Sequence, residues 1–305
     1  MPFGAAVSAP KWDATAMSGY ASGILAIVCI NLIFAYGIFV PAAAGQINLG
    51  GAGFQAIGAY SAGWLSSVAG LPVWLTIPAA MLIAGMIGFL ISFPVLRTRG
   101  VYMVLATFAF GEAVAGFLLR TEFFGGAIGM VVPAHIEVSI LVCCALAVIL
   151  LTFYLMATRF GLAMRSINDD EAAAVLMGVN VRAVQVAAFS IGGAFAGLSG
   201  ALYAHNFGFV EAQYFNSLLS IYVLLFVLIG GVQTAWGPLI GTLVFTLLPE
   251  FMRIGGSWRY VVFGAAIVLL MMLRPQGIMT RAMIGQLSPR RWALRRSAMG
   301  ALHGG

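Results

Sequence analysis

The amino-acid sequence predicts an all-α polytopic membrane protein with eight or nine transmembrane helices, one of them a broken or re-entrant Gly-rich segment, and a short cytoplasmic helix. Two observations carry that fold class. The 305 residues are 62% hydrophobic and 8% charged, whereas soluble domains carry about a quarter charged residues. The hydrophobic residues also fall into runs of about 20, the length a helix needs to cross a bilayer core, where helices are the default because every backbone polar group must be satisfied within the segment. The Arg residues then sort to one side of such a chain, and that side is cytoplasmic by the positive-inside rule.

Taken in order, residues 1–19 form an N-terminal segment and 20–275 a membrane domain, followed by a basic cytoplasmic tail over 276–305. Within the domain the predicted spans are 20–41, 46–66, 72–93, 100–119, 137–157, 184–205, 217–231, 236–252 and 259–273. The first run is too long for a signal-peptide core and lacks a basic segment before it, so it is read as a retained span. The second opens on Gly45-Gln46-Ile47-Asn48-Leu49-Gly50-Gly51. That stretch is too rich in glycine and amides for a helix facing lipid, and irregular backbone at membrane depth is tolerated only inside protein or along a water-filled cavity.

Arg97, Arg99, Arg159, Arg165 and Arg182 fall on one side of this arrangement together with Arg274, Arg281, Arg290, Arg291, Arg295 and Arg296. Only Arg120, Arg253 and Arg259 fall on the other. The 158–182 loop and the tail are therefore cytoplasmic, the 120–136 and 206–216 loops lie outside, and the positive tail suits anionic headgroups. The net charge of +6 thus serves topology, not nucleic-acid binding. Cys29, Cys143 and Cys144 sit in apolar runs as packing residues, and His135, His205 and His303 are scattered without ligand spacing, so neither a disulfide framework nor a His-based metal site is expected.

The 158–182 loop contains the one stretch that is not written for lipid. Asn168 is the expected N-cap, with Glu171 three residues later as in a capping box, and a helix is expected from Asp169 to about Met177. Asp169, Asp170 and Glu171 would then complement the helix dipole, and Gly178 would supply the left-handed C-cap. Ala172, Val175, Leu176 and Val179 make one apolar face, while Ala173 and Ala174 permit close backbone approach. So short a helix does not hold alone in water. It must dock on something, either the membrane face of its own chain or a cytoplasmic partner.

From Phe160-Gly161 through Glu171, Ala173, Ala174 and Gly178, this segment resembles the EAA-type coupling loop of ABC importer permeases. The likeness extends over most of 20–280 and narrows to the M-type permease subunit of branched-chain amino acid transporters. It includes Gly45-Gln46-Ile47-Asn48-Leu49-Gly50 with Gly58-Ala59-Tyr60, and Arg97-Thr98-Arg99-Gly100-Val101-Tyr102 leading to Ala106-Thr107-Phe108-Ala109-Phe110-Gly111-Glu112. After the coupling loop come Ala196-Gly197-Leu198-Ser199-Gly200, Gly230-Gly231-Val232-Gln233, Trp236-Gly237-Pro238 and Arg274-Pro275-Gln276-Gly277. Asn48 and Gly51 stand where the family often has Ser and His.

The resemblance implies a bacterial-type plasma (inner) membrane permease that imports a small amino acid, such as leucine, isoleucine or valine, by alternating access. It implies as partners a second related permease, two cytoplasmic ATPases and an extracytoplasmic solute-binding protein. No cofactor is expected in this chain; ATP and Mg belong to the ATPases. The residues agree, because Lys11 is the only lysine and has no P-loop around it. Asn168, Asp169, Asp170, Glu171, Ala173, Ala174 and Gly178 are the candidate ATPase-coupling residues.

Gln46, Asn48, Gln55, Tyr60, Tyr102, Thr107 and Glu112 are the candidates for a translocation path, Glu112 because an ionisable side chain at membrane depth is either functional or structurally paired. Gly193, Gly197 and Gly200 are the small residues of a close-packing face, set within the chain or against the second permease. Two other classes compete. An ion-coupled secondary transporter or channel would use Glu112. An intramembrane serine protease would use Ser199 of Gly197-Leu198-Ser199-Gly200, but needs a His base within reach, and His205 lies about 120° away around the same helix. No catalytic residue is expected.

Overall fold

A computed structural model describes residues 14–251 and the isolated positions 264, 265, 268, 272, 277 and 279. The expected span 259–273 and almost all of the basic tail lie outside the described residues. Among the described residues ten α-helices follow one another: α1 (Ala14–Ala43), α2 (Gly51–Ser67), α3 (Val73–Val95), α4 (Val101–Arg120), α5 (Val138–Ala157), α6 (Arg159–Asp169), α7 (Glu171–Leu176), α8 (Val181–Phe207), α9 (Ser217–Gly230) and α10 (Trp236–Phe251). The all-α class holds, with one small addition. Two-residue strands β1 (Met130–Val131) and β2 (Phe209–Val210) pair antiparallel, Met130 opposite Val210, and tie together the two loops on the face away from the Arg cluster.

Among the described residues, α1, α3, α4, α5 and α8 are long and apolar enough to cross a membrane. Helices α9 and α10 are apolar but shorter, and α2 has 17 residues. Eight or nine spans are therefore not reached on length and hydropathy alone. The reason is packing. Helix α2 is enclosed by α3, α8 and α4, so it needs neither the length nor the uniform hydrophobicity of a helix that meets lipid.

The centre of the bundle is α8, flanked by α3, α2 and α1. In the apolar windows of α1 and α8, 72% of the residues are buried inside the chain, against 28% for α4 and α5, which makes the latter pair peripheral. Close approach explains the glycines of α8. A Cβ on Gly200 would lie 1.9 Å from the Gln55 carbonyl oxygen of α2, one on Gly197 would lie 2.2 Å from the Ala84 Cβ of α3, and one on Gly193 would meet the Ala84 carbonyl at 3.2 Å. Gly193, Gly197 and Gly200 are all buried in the chain. The small-residue face therefore packs on α2 and α3 and is not available to a second permease.

The 158–182 loop differs from expectation in its internal division. It holds two helices, because Gly161, Met164 and Ile167 give α6 a buried face of its own. Asn168 and Asp169 are the last turn of α6, so Asn168 is not an N-cap. Asp170 is the cap: its backbone is extended at φ −157°, and its Oδ1 accepts from the N–H of Ala172 and Ala173 at 2.9 and 3.1 Å. The helix it starts, α7, has six residues instead of the nine expected.

Candidate coupling helix and polar break

Helix α7 ends as its sequence foretold. Gly178 adopts φ 81°, the Val179 N–H reaches back to the Ala174 carbonyl and the Gly178 N–H to Val175, a Schellman closure. Ala174 is fully buried and Ala173 half-buried, so the small residues form the inward side. The apolar face expected from Ala172, Val175, Leu176 and Val179 is divided differently. Leu176 is 89% and Met177 75% exposed, with Val175 beside them also exposed. A short capped helix thus holds three consecutive apolar side chains outward.

Two contacts anchor this region to the rest of the chain. Glu171 does not reach back to close a capping box; its Oε1 pairs with the Arg99 guanidinium of the α3–α4 turn at 3.4 Å. Both side chains are largely exposed, so the pair contributes at most about 1 kcal/mol, and its effect is to set position. Asn168, at the end of α6, lies against Gly45, which takes φ 77° in the turn after α1. The helix pair α6–α7 thus touches both the α1–α2 and the α3–α4 connections.

The α1–α2 connection leads inward. Gln46 lines the Arg-rich face with Arg97, whereas Leu49, three residues on, donates its N–H to the Thr107 hydroxyl at 3.1 Å. Thr107 is about 10 Å along α4 from its start, so residues 46–50 cross part of the bundle as irregular chain. Asn48 holds that shape: its Oδ1 accepts from the Gly50 N–H at 2.8 Å. A glycine is required at 50, where a Cβ would come within 2.5 Å of the Thr107 carbonyl.

The start of α9 lies beside this break. Its Ser220 hydroxyl accepts from the Ala52 N–H at 2.7 Å, joining the first turns of α2 and α9. Glu112, about 17 Å along α4, accepts from both the hydroxyl and the N–H of Ser217, the latter at 3.2 Å. The carboxylate therefore sits at a helix N-terminus, where the macrodipole favours negative charge, and it is exposed on the outer side of α4. The first turns of α2 and α9 and the middle of α4 thus meet through polar side chains.

Seven side chains were expected along a path, and the structure separates them. Asn48, Gln55, Thr107 and Gln46 are buried, and the first three are engaged in structural hydrogen bonds, Gln55 donating to the Ser199 hydroxyl at 2.8 Å. Tyr60 is buried beside Phe124 with its hydroxyl unpaired. Tyr102 and Glu112 are exposed on α4. Asn48 and Thr107 thus hold the break in shape, Gln55 ties α2 to α8, and Tyr102 and Glu112 lie on the exposed side of α4. Sequence reasoning missed Ser217 and Ser220, whose only local signal is the Asn216 cap that precedes them.

The protease arrangement is absent. Ser199 bonds to Gln55, while His205 is fully buried between the Thr76 hydroxyl, 2.9 Å from Nε2, and the Ala134 carbonyl, 3.0 Å from Nδ1. Nδ1 carries a proton, since a carbonyl only accepts, and the ring joins α8 to α3 and to the loop before α5. Among the described residues no cluster of His, Cys, Asp and Glu is arranged to hold a metal.

Comparison with known proteins places the chain in a family. The family model described as branched-chain amino acid transport system / permease component matches residues 20–271. The chain is 31% identical to the high-affinity branched-chain amino acid transport system permease protein LivM of Escherichia coli, over 84% of this chain and 69% of that protein. It is 28% identical to the permease protein LivH of the same organism over 45% of this chain and 44% of that one. It is 27% identical to the nucleoside ABC transporter permease protein NupC of Lactococcus lactis, over 70% and 75%. No solved structure matches. A multi-pass bundle with an internal polar break and a capped loop helix, matched by this model from the first helix onward, is a transport subunit and not an enzyme: the chain belongs to the family of permease components of branched-chain amino acid transport systems.

Proposed function

We propose that this chain is one of two related permeases of an ABC importer for leucine, isoleucine and valine in the bacterial inner membrane. Two cytoplasmic ATPases and an extracytoplasmic binding protein complete the assembly, and the C-terminus is cytoplasmic. The observation that supports this most is the placement of α7: capped at both ends, apolar outward, and attached through Glu171–Arg99 and through Asn168 against Gly45 to the two connections that flank the polar break. A displacement of α7 by an ATPase is thereby delivered to the start of α2. In this reading α2 with residues 46–50 completes a crossing, α9 and α10 cross as shorter helices, and the first residues of α1 lie outside.

The path runs along the exposed face of α4 and the first turn of α9, where the second permease closes it. Helix N-termini at the break favour the substrate carboxylate. The test is ATP-driven uptake by the assembled transporter in proteoliposomes, with leucine and a nucleoside offered side by side because one relative is a nucleoside permease. Leu176→Asp together with Met177→Asp is expected to leave assembly in the membrane intact and reduce ATP-driven leucine uptake at least tenfold, roughly the loss of 1.4 kcal/mol or more of docking energy. Undiminished uptake would overturn the coupling role, and preferential nucleoside uptake would overturn the cargo.

A further inference from the structure

We infer that the Arg-rich face holds a site for one anionic phospholipid, its phosphate in a recess beneath α7 and one acyl chain in an adjoining groove between α3 and α8. The recess has a volume of about 380 Å³ and is lined by Gln46, Arg97, Arg99 and Arg182 together with Glu171, so three guanidinium groups face one carboxylate. Gln46 supplies a second, independent observation. Its side chain is 1% exposed, and neither Nε2 nor Oε1 has a hydrogen-bond partner. A buried amide left unpaired costs about 1–3 kcal/mol. It is satisfied by a ligand that offers an acceptor to Nε2–H and a donor to Oε1. A phosphate diester bearing a glycerol hydroxyl offers both.

The choice of a lipid over a free anion or a partner's carboxylate rests on the neighbouring groove. Arg182 also lines a second cavity, of about 620 Å³, walled by Phe89 and Phe93 of α3 and by Val186, Ala187 and Ile191 of α8. That groove runs from the Arg-rich face along two helices into the apolar part of the bundle. Inorganic phosphate or a carboxylate fills the recess and leaves the groove empty. A phospholipid fills both, with Arg182 at the junction between head and tail. Because Arg99 lines the recess and pairs with Glu171, a bound headgroup sits against the position of α7.

Native mass spectrometry of the full chain, delipidated in detergent and titrated with dioleoyl phosphatidylglycerol or dioleoyl phosphatidylcholine, tests the site. Phosphatidylglycerol is expected to bind in preference, and Arg97→Gln or Arg182→Gln to weaken it about fivefold each, the factor for one surface Arg near anionic lipid. Phosphatidylcholine binding serves as the control for folding. Gln46→Leu, which keeps the side-chain volume, is expected to lower the preference for the glycerol headgroup without touching charge. Ala187→Trp, which fills the groove, is expected to weaken phosphatidylglycerol while the recess is unchanged. Equal binding of the two lipids, an unchanged preference in both Arg variants, full strength in Ala187→Trp, or displacement by equimolar inorganic phosphate would each overturn the proposal, the last two by showing an anion site without a lipid tail.

Discussion

Glu112 and His205 show what single polar residues do in this bundle. Glu112 accepts two hydrogen bonds from Ser217 at the first residue of α9, so its carboxylate is held at a helix terminus. Glu112→Gln keeps one acceptor oxygen and is expected to retain most of the uptake. Glu112→Ala removes the hydrogen bonds from α4 to the first residue of α9 and is expected to lose most of it; equal activity of the two variants in the proteoliposome assay would count against this role. His205 is a structural pin. Replacing it by Leu strands the Ala134 carbonyl and is expected to cost about 1–3 kcal/mol, read as a lower melting temperature in detergent. An unchanged melting curve would show that the pin contributes nothing.

At the scale of elements, α7 is held by its caps. Asp170→Ala removes the acceptor for two first-turn N–H groups and is expected to cost about 1 kcal/mol of local stability. Gly178→Val has open space around its Cβ, so its cost of about 1–2 kcal/mol comes from the left-handed backbone alone. Amide hydrogen exchange over 171–179 measures both, with faster exchange expected and no change elsewhere in the bundle. The existence of this helix and its C-terminal glycine were legible in the sequence, because both are local chemistry. Its start was not. Asn168, Asp169 and Asp170 are all competent caps, and the choice among them depends on the buried face of α6 ending at Ile167 and on Arg99 meeting Glu171 from 72 residues away.

The same division between local and distant information runs through the whole molecule. The apolar spans were legible because each is written in its own composition. The break at 46–50 was visible as glycines and amides, but its partners, Thr107 of α4 and Ser220 of α9, come from distant segments, so the part that Asn48 and Thr107 play in holding it was not legible. Likewise Gly193, Gly197 and Gly200 announced close packing without saying on which helix. What emerges is a bundle in which α8 is the fixed centre and the loop helices, the irregular chain and the first turn of α9 form one connected set on one side of it.

In the proposed importer this set transmits work done by ATPase subunits. Its most direct test exchanges the charges that join α7 to the α3–α4 turn, because the Arg99–Glu171 pair is exposed and its loss unfolds nothing. In the reconstituted transporter with ATP inside and substrate outside, Glu171→Arg is expected to reduce uptake several-fold while ATP hydrolysis continues, and the double exchange Arg99→Glu with Glu171→Arg to restore much of it. Full uptake in the single variant, or flux through this chain alone driven by a proton or sodium gradient without ATP, would contradict the account.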